Sequence, residues 1–158
     1  MENLKFDFIF LGQSVLKYQV PLDIFTTINQ IYEQNFHNLA PANGQLVGKI
    51  ENEHSLFYHG ADQTKMKNHN MLPRNVTDYF MNIFKHYLAF NKIKDYKTHL
   101  NSIWVNEMKQ HEYNPAHVHR GMLFTGLSSV MILKLPSTFG REYSADEVKQ
   151  NGRLQILG

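Results

Sequence analysis

One stretch limits the fold more than any other. Val76, Tyr79, Phe80, Ile83, Phe84, Tyr87 and Leu88 recur at intervals of three and four, the spacing that gathers apolar side chains along one stripe of an α-helix. A helix over about 76–90, with Asn75 as its N-cap, must press that aromatic stripe against another layer. It reads as core rather than as a cofactor box. His86 falls outside the stripe and reads as solvated. A second helix, over about Pro21–Asn35, is expected from Leu22, Phe25, Ile28, Ile31 and Tyr32, with Pro21 suited to its first turn and Asp23 near its positive end.

The remaining apolar runs have strand character. Leu4 to Leu11 alternates and then becomes continuously apolar, Gly12 breaks it, and Val15 to Val20 allows a second extended piece. Residues 36–45 read as a loop and Leu46–Ile50 as a possible strand. Glu51 to Asn70 is polar, His-rich and irregular. His54, His59 and His69 fit neither a helix face nor a strand face, so they read as loop histidines rather than ligands. Strand composition returns at Leu100–Met108, Met122–Leu123 and Ser128–Leu135, punctuated by Gly121, Gly126 and Pro136. Ser144–Glu147 suits a capping box, and Leu154–Leu157 a last strand. Helices first and antiparallel strands afterwards predict an α+β fold or a helix-flanked β-sandwich.

With 158 residues, 42% of them hydrophobic and 13% aromatic, the chain suits a single folded domain over 1–158. A formal net charge of +2 with scattered Lys and Arg gives no reason to expect nucleic acid as a partner. No cysteine is present, which excludes disulfides, thiolate metal sites and a cysteine nucleophile. The acidic start and the lack of a long apolar run give the expectation of a cytoplasmic protein without signal peptide or membrane span.

The chemistry-bearing feature is Tyr113-Asn-Pro-Ala-His-Val-His-Arg-Gly. In an extended segment residues i and i+2 share a face, so His117 and His119 can aim at one metal ion while Val118 turns the other way. Pro115 restricts the entry to this segment, and Gly121 and Gly126 allow close backbone approach. Paired histidines at this spacing also arise by chance.

Three segments together carry a resemblance: Trp104-Val-Asn-Glu-Met, then Tyr113-Asn-Pro-Ala-His-Val-His-Arg-Gly, then Thr125-Gly-Leu-Ser-Ser-Val-Met-Ile-Leu-Lys-Leu-Pro. They resemble the first half of a family of 2-oxoglutarate- and Fe(II)-dependent oxygenases of marine bacteria and their phages, over roughly residues 100–136. Leu46-Val-Gly-Lys-Ile-Glu-Asn-Glu is similar to the N-terminal region of those proteins. The resemblance implies a double-stranded β-helix, a cupin-like jelly roll with the N-terminal helices packed on one sheet. It also implies Fe(II) held by two histidines and a carboxylate, and hydroxylation coupled to decarboxylation of 2-oxoglutarate.

On that resemblance His117 is the first metal ligand, and His119 stands where better-known members carry an aspartate. Glu107, Glu112 and Glu142 are candidate carboxylates that spacing does not separate. Lys134 interrupts an apolar run and, by the resemblance, suits an anchor for the oxoglutarate carboxylate. An edge-strand lysine that blocks aggregation is the other reading of it, and the favoured one. Tyr113 is either a hydrogen-bond donor to the cofactor pocket or a packing residue. No histidine follows His119, and neither Arg141 nor Arg153 has one before it at a suitable distance. The expected barrel is therefore incomplete at its C-terminal end. Its unpaired strands predict a homo-oligomer. A non-catalytic jelly-roll binding or structural module and a cupin-like protein holding metal through several histidines stay open beside the oxygenase.

Overall fold

The structure is a computed structural model that describes residues 4–10, 14–42, 48–59, 70–115, 117, 126–139 and 154. Its elements run β1 (Phe6–Phe10), β2 (Ser14–Tyr18), α1 (Leu22–Asn35), a 3₁₀ turn (Phe36–Asn38), β3 (Asn52–Tyr58), α2 (Arg74–Phe90) and β4 (Ser102–Glu107). Helices and strands therefore interleave, where the sequence pattern led us to expect helices followed by strands.

Both helices form where their apolar stripes place them. In α2 the buried side chains are Val76, Phe80, Ile83 and Leu88; in α1 they are Ile24 and Ile28. Pro21 lies just outside α1 as its N-cap, in an extended conformation. The cap of α2 is Pro73 rather than Asn75, and neither helix has a side-chain cap hydrogen bond. The two helices pack on each other and share one core with Leu39, Leu56 and Leu72. Leu56 and Val76 are completely enclosed.

The strand at the centre of this core lies in the stretch that reads as irregular. β3 pairs antiparallel with β4, Asn52 opposite Glu107, Glu53 opposite Asn106, His54 opposite Val105 and Ser55 opposite Trp104. A register shift follows between Ser55 and Phe57, after which Phe57 meets Ile103. The shift sets Leu56 as the extra residue of a bulge. The far edge of β3 is covered by two short chain segments. Ser55 donates its amide to Ala40 O (2.9 Å), Ala42 donates to Glu53 O (2.8 Å), and Met71 donates to Leu56 O (2.9 Å). Pairing on both edges explains why so polar a strand is extended and buried.

β1 and β2 form a separate antiparallel hairpin, Phe6 opposite Tyr18 and Phe10 opposite Ser14. Side chains fix it to the C-terminal half of α2. Tyr87 Oη donates to Ser14 O (2.9 Å) and Ser14 Oγ donates to Asn91 Oδ1 (2.5 Å). Tyr18 Oη lies 2.7 Å from His86 Nδ1, and Phe6 stacks edge-on to the His86 and Phe90 rings. His86 is thus half-buried in an aromatic joint, contrary to its solvated reading. Burial, with Tyr79 nearby, pushes the Tyr18 hydroxyl up to about 12.

Among the described residues, 126–136 have no ladder partner, and no strand is assigned where one was expected at Ser128–Leu135. Met131 and Leu133 pack against the core, whereas Val130 and Ile132 are exposed. The pieces expected at Met122–Leu123, Ser144–Glu147 and most of Leu154–Leu157 lie outside the described residues. Among the described residues no barrel closes, and no helix is long and apolar enough to cross a membrane.

Candidate functional site

The β3–β4 sheet has two faces of different chemistry. Asn52, His54, Val105 and Glu107 point to the helices. There the His54 ring stands 6.1 Å from Tyr32 and 4.8 Å from Phe36, centre to centre. The Glu107 carboxylate accepts from Tyr32 Oη (3.3 Å) and Asn52 Nδ2 (3.2 Å). Burial lowers the His54 pKa, with Glu107 opposing, and burial ahead of Glu107 raises that of Tyr32. His54 is therefore half-buried, not a loop histidine, and its buried Nδ1 has no hydrogen-bond partner.

The opposite face, away from the helices, carries Glu53, Ser55, Trp104 and Asn106. Glu53 and Ser55 are 5% and 6% exposed. Burial raises the Glu53 carboxyl above its usual range. Asn106, directly across from Glu53, has a buried Oδ1 that meets no donor. Cross-strand neighbours bring their Cβ atoms within about 5 Å, so two oxygen-bearing side chains share one desolvated spot.

The Tyr113 segment enters from the end of this sheet. After β4 the chain turns through 108–112, with His111 in the left-handed region (φ 70°). Glu112 braces the turn, accepting from the amides of Lys109 (2.7 Å) and Glu51 (3.0 Å), and these two hydrogen bonds lower its pKa. Tyr113 then exchanges two backbone hydrogen bonds with Lys49, N to O in both directions at 2.9 and 3.1 Å. This bridge extends the β3–β4 pairing beyond the turn. Gly48 lies beside it. A Cβ there would collide with the Tyr113 carbonyl and come within 2.9 Å of Pro115 Cδ and 3.0 Å of Asn114 Cα. The absence of a side chain at 48 thus permits the close approach that holds Tyr113–Pro115 in place.

His117 follows directly. Its Nδ1 is 2.7 Å from the Pro115 carbonyl oxygen. A carbonyl can only accept, so Nδ1 carries the proton, and in the neutral ring the lone pair able to bind a metal sits on Nε2. Metal-bound histidines are commonly oriented by such a bond from the other ring nitrogen. His117 is exposed. His119, its expected partner, lies outside the described residues, as do Glu142, Arg141 and Arg153.

The other expected site residues are dispersed. Tyr113 is held by its backbone, and its side chain is 58% exposed. Lys134 is exposed, as are Val130 and Ile132, whereas Met131 and Leu133 pack against the core. Glu107 and Glu112 are engaged by the Tyr32–Asn52 pair and by the turn amides. Among the described residues, no three His, Asp or Glu side chains gather closely enough to hold a metal ion.

The polar pair Glu53 and Asn106 was not anticipated from the sequence, although Asn106 stands in the Trp-x-Asn run. Nothing local marks Glu53 as buried. No family model, curated protein or solved structure matches this chain.

Proposed function

We propose that the chain is a metal-binding oxygenase of the 2-oxoglutarate/Fe(II) type, with His117 and His119 as metal ligands. The observation that carries this reading is the 2.7 Å contact between His117 Nδ1 and Pro115 O, which orients the ring for coordination through Nε2. The helix-backed sheet supports it too, since its other face presents the buried Glu53 and Ser55 and the buried Asn106 Oδ1. In a jelly roll the corresponding face looks inward. When bound, Fe(II) and 2-oxoglutarate would supply the oxidising chemistry. This chain's own part is to hold the metal through imidazole. Tyr113 is the proposed contact for the cofactor pocket, Lys134 serves as the edge lysine rather than as the oxoglutarate anchor, and the active unit is a homo-oligomer in the cytoplasm.

Anaerobic addition of Fe(II) and 2-oxoglutarate tests the proposal. The expected result is a weak visible charge-transfer band in the wild type and none in His117→Ala. A band of equal strength in both proteins, or no band in either, overturns the oxygenase reading.

A further inference from the structure

We infer that a second site, unrelated to His117, binds a divalent late-transition metal between His59 and His99. These residues are forty positions apart in the sequence, but the fold brings their rings to 4.8 Å, centre to centre, with planes inclined by 34°. The reason lies in the ladder. Tyr58 is the last residue of β3 and lies opposite Ser102, and His59 continues the pairing by donating its amide to Asn101 O at 2.6 Å. His99 precedes Asn101 by two residues, which places it diagonally across from His59 on one face. Long side chains meet across such a diagonal.

The geometry suits a shared ion. Two imidazoles on one tetrahedral zinc, with Zn–N bonds of ~2.0–2.1 Å, hold their ring centres roughly 5 Å apart. The observed separation of 4.8 Å is close to that spacing. Both histidines are exposed, so the ion is reachable from solvent and the other coordination positions can be filled by water. Two neutral imidazoles favour Zn²⁺, Ni²⁺ or Cu²⁺ over Mg²⁺ or Ca²⁺, which select oxygen ligands. Bound there, the ion ties the loop after α2 to the end of β3, two segments that otherwise meet through backbone contact at Asn101.

Zn²⁺ titration of the full chain, followed by the ring resonances of the histidines, tests this. The resonances of His59 and His99 should move together as the first equivalents of Zn²⁺ are added, while those of the exposed His37 stay put. In competition with a chromophoric chelator, His59→Ala and His99→Gln should each weaken this binding at least about tenfold, and His117→Ala should leave it intact. Loss of that binding in His117→Ala alone, or His59 and His99 resonances that move no more than those of His37, would overturn the site. The resonance test uses the wild type, so it decides the question even if a variant fails to fold.

Discussion

Glu53 is a carboxyl whose ionisation this fold opposes. It is nearly enclosed, sits across from an asparagine oxygen that lacks a donor, and has its pKa raised by burial. A protonated Glu53 has an O–H to donate, whereas an ionised one adds a second acceptor to an acceptor-rich spot. The native state therefore holds its proton to higher pH than the unfolded chain does. The stability linked to that proton is fully present below the usual value of 4.5 and is lost as pH rises through the raised native value. Glu53→Gln keeps the shape and removes the titration. It should be more stable than the wild type at about pH 7, with the gain shrinking toward zero near pH 4. Urea unfolding at the two pH values measures this, and an equal difference at both would show that ionisation plays no part. No part of this was legible in the sequence. Asn52-Glu-His-Ser reads as a solvated run because its four side chains are polar, and their burial comes from Ala40–Ala42 and β4, whose positions the run itself does not encode.

The helices were legible for the converse reason. The stripes of α1 and α2 are local, so periodicity alone locates them to within a residue or two of their observed ends. What periodicity leaves out is how each helix stops. α2 ends in a Schellman-type turn, with Ile93 N donating to Leu88 O (3.0 Å) and Lys92 N to Ala89 O (3.0 Å). Lys92 occupies the left-handed position at φ 57°, where glycine is the usual residue. A Cβ there costs roughly 1–2 kcal/mol, and glycine's extra freedom in the unfolded chain returns about 0.5–1 kcal/mol of that. Lys92→Gly should therefore raise stability by up to about 1 kcal/mol, read as a higher urea midpoint with unchanged slope. A lower midpoint would mean that the lysine makes a contact worth more than the strain. β3 shows the opposite limit. Its identity as a strand depends on edge partners contributed by segments on either side of it in sequence. The one local clue was Leu56-Phe57-Tyr58, three successive residues of strand-forming type.

How the pieces combine determines what the molecule does with its C-terminal third. Strand composition at Ser128–Leu135 was legible, but composition cannot supply a neighbour, and among the described residues the segment has no ladder partner. Its two sides differ: Met131 and Leu133 are set against the core, while Val130 and Ile132 are 63% and 52% exposed, with Leu135 beyond them at 56%. A strand-like segment with an apolar outer side invites strand addition. The self-complementary partner always present at equal concentration is a second copy of the chain, paired about a two-fold axis. Lys134 lies between Ile132 and Leu135 and limits how far such pairing can spread into open-ended aggregation, the role that a charged residue plays on an edge. Light scattering at micromolar concentration should give a dimer or a higher closed oligomer for the wild type. Ile132→Lys should shift it toward monomer by placing a charge in the apolar contact, and Lys134→Leu should drive it to larger species. A wild type that stays monomeric would show that the outer side of 130–135 is tolerated in water, and it would remove the homo-oligomer from the proposed function while leaving the His117 chemistry to be judged by its own titration.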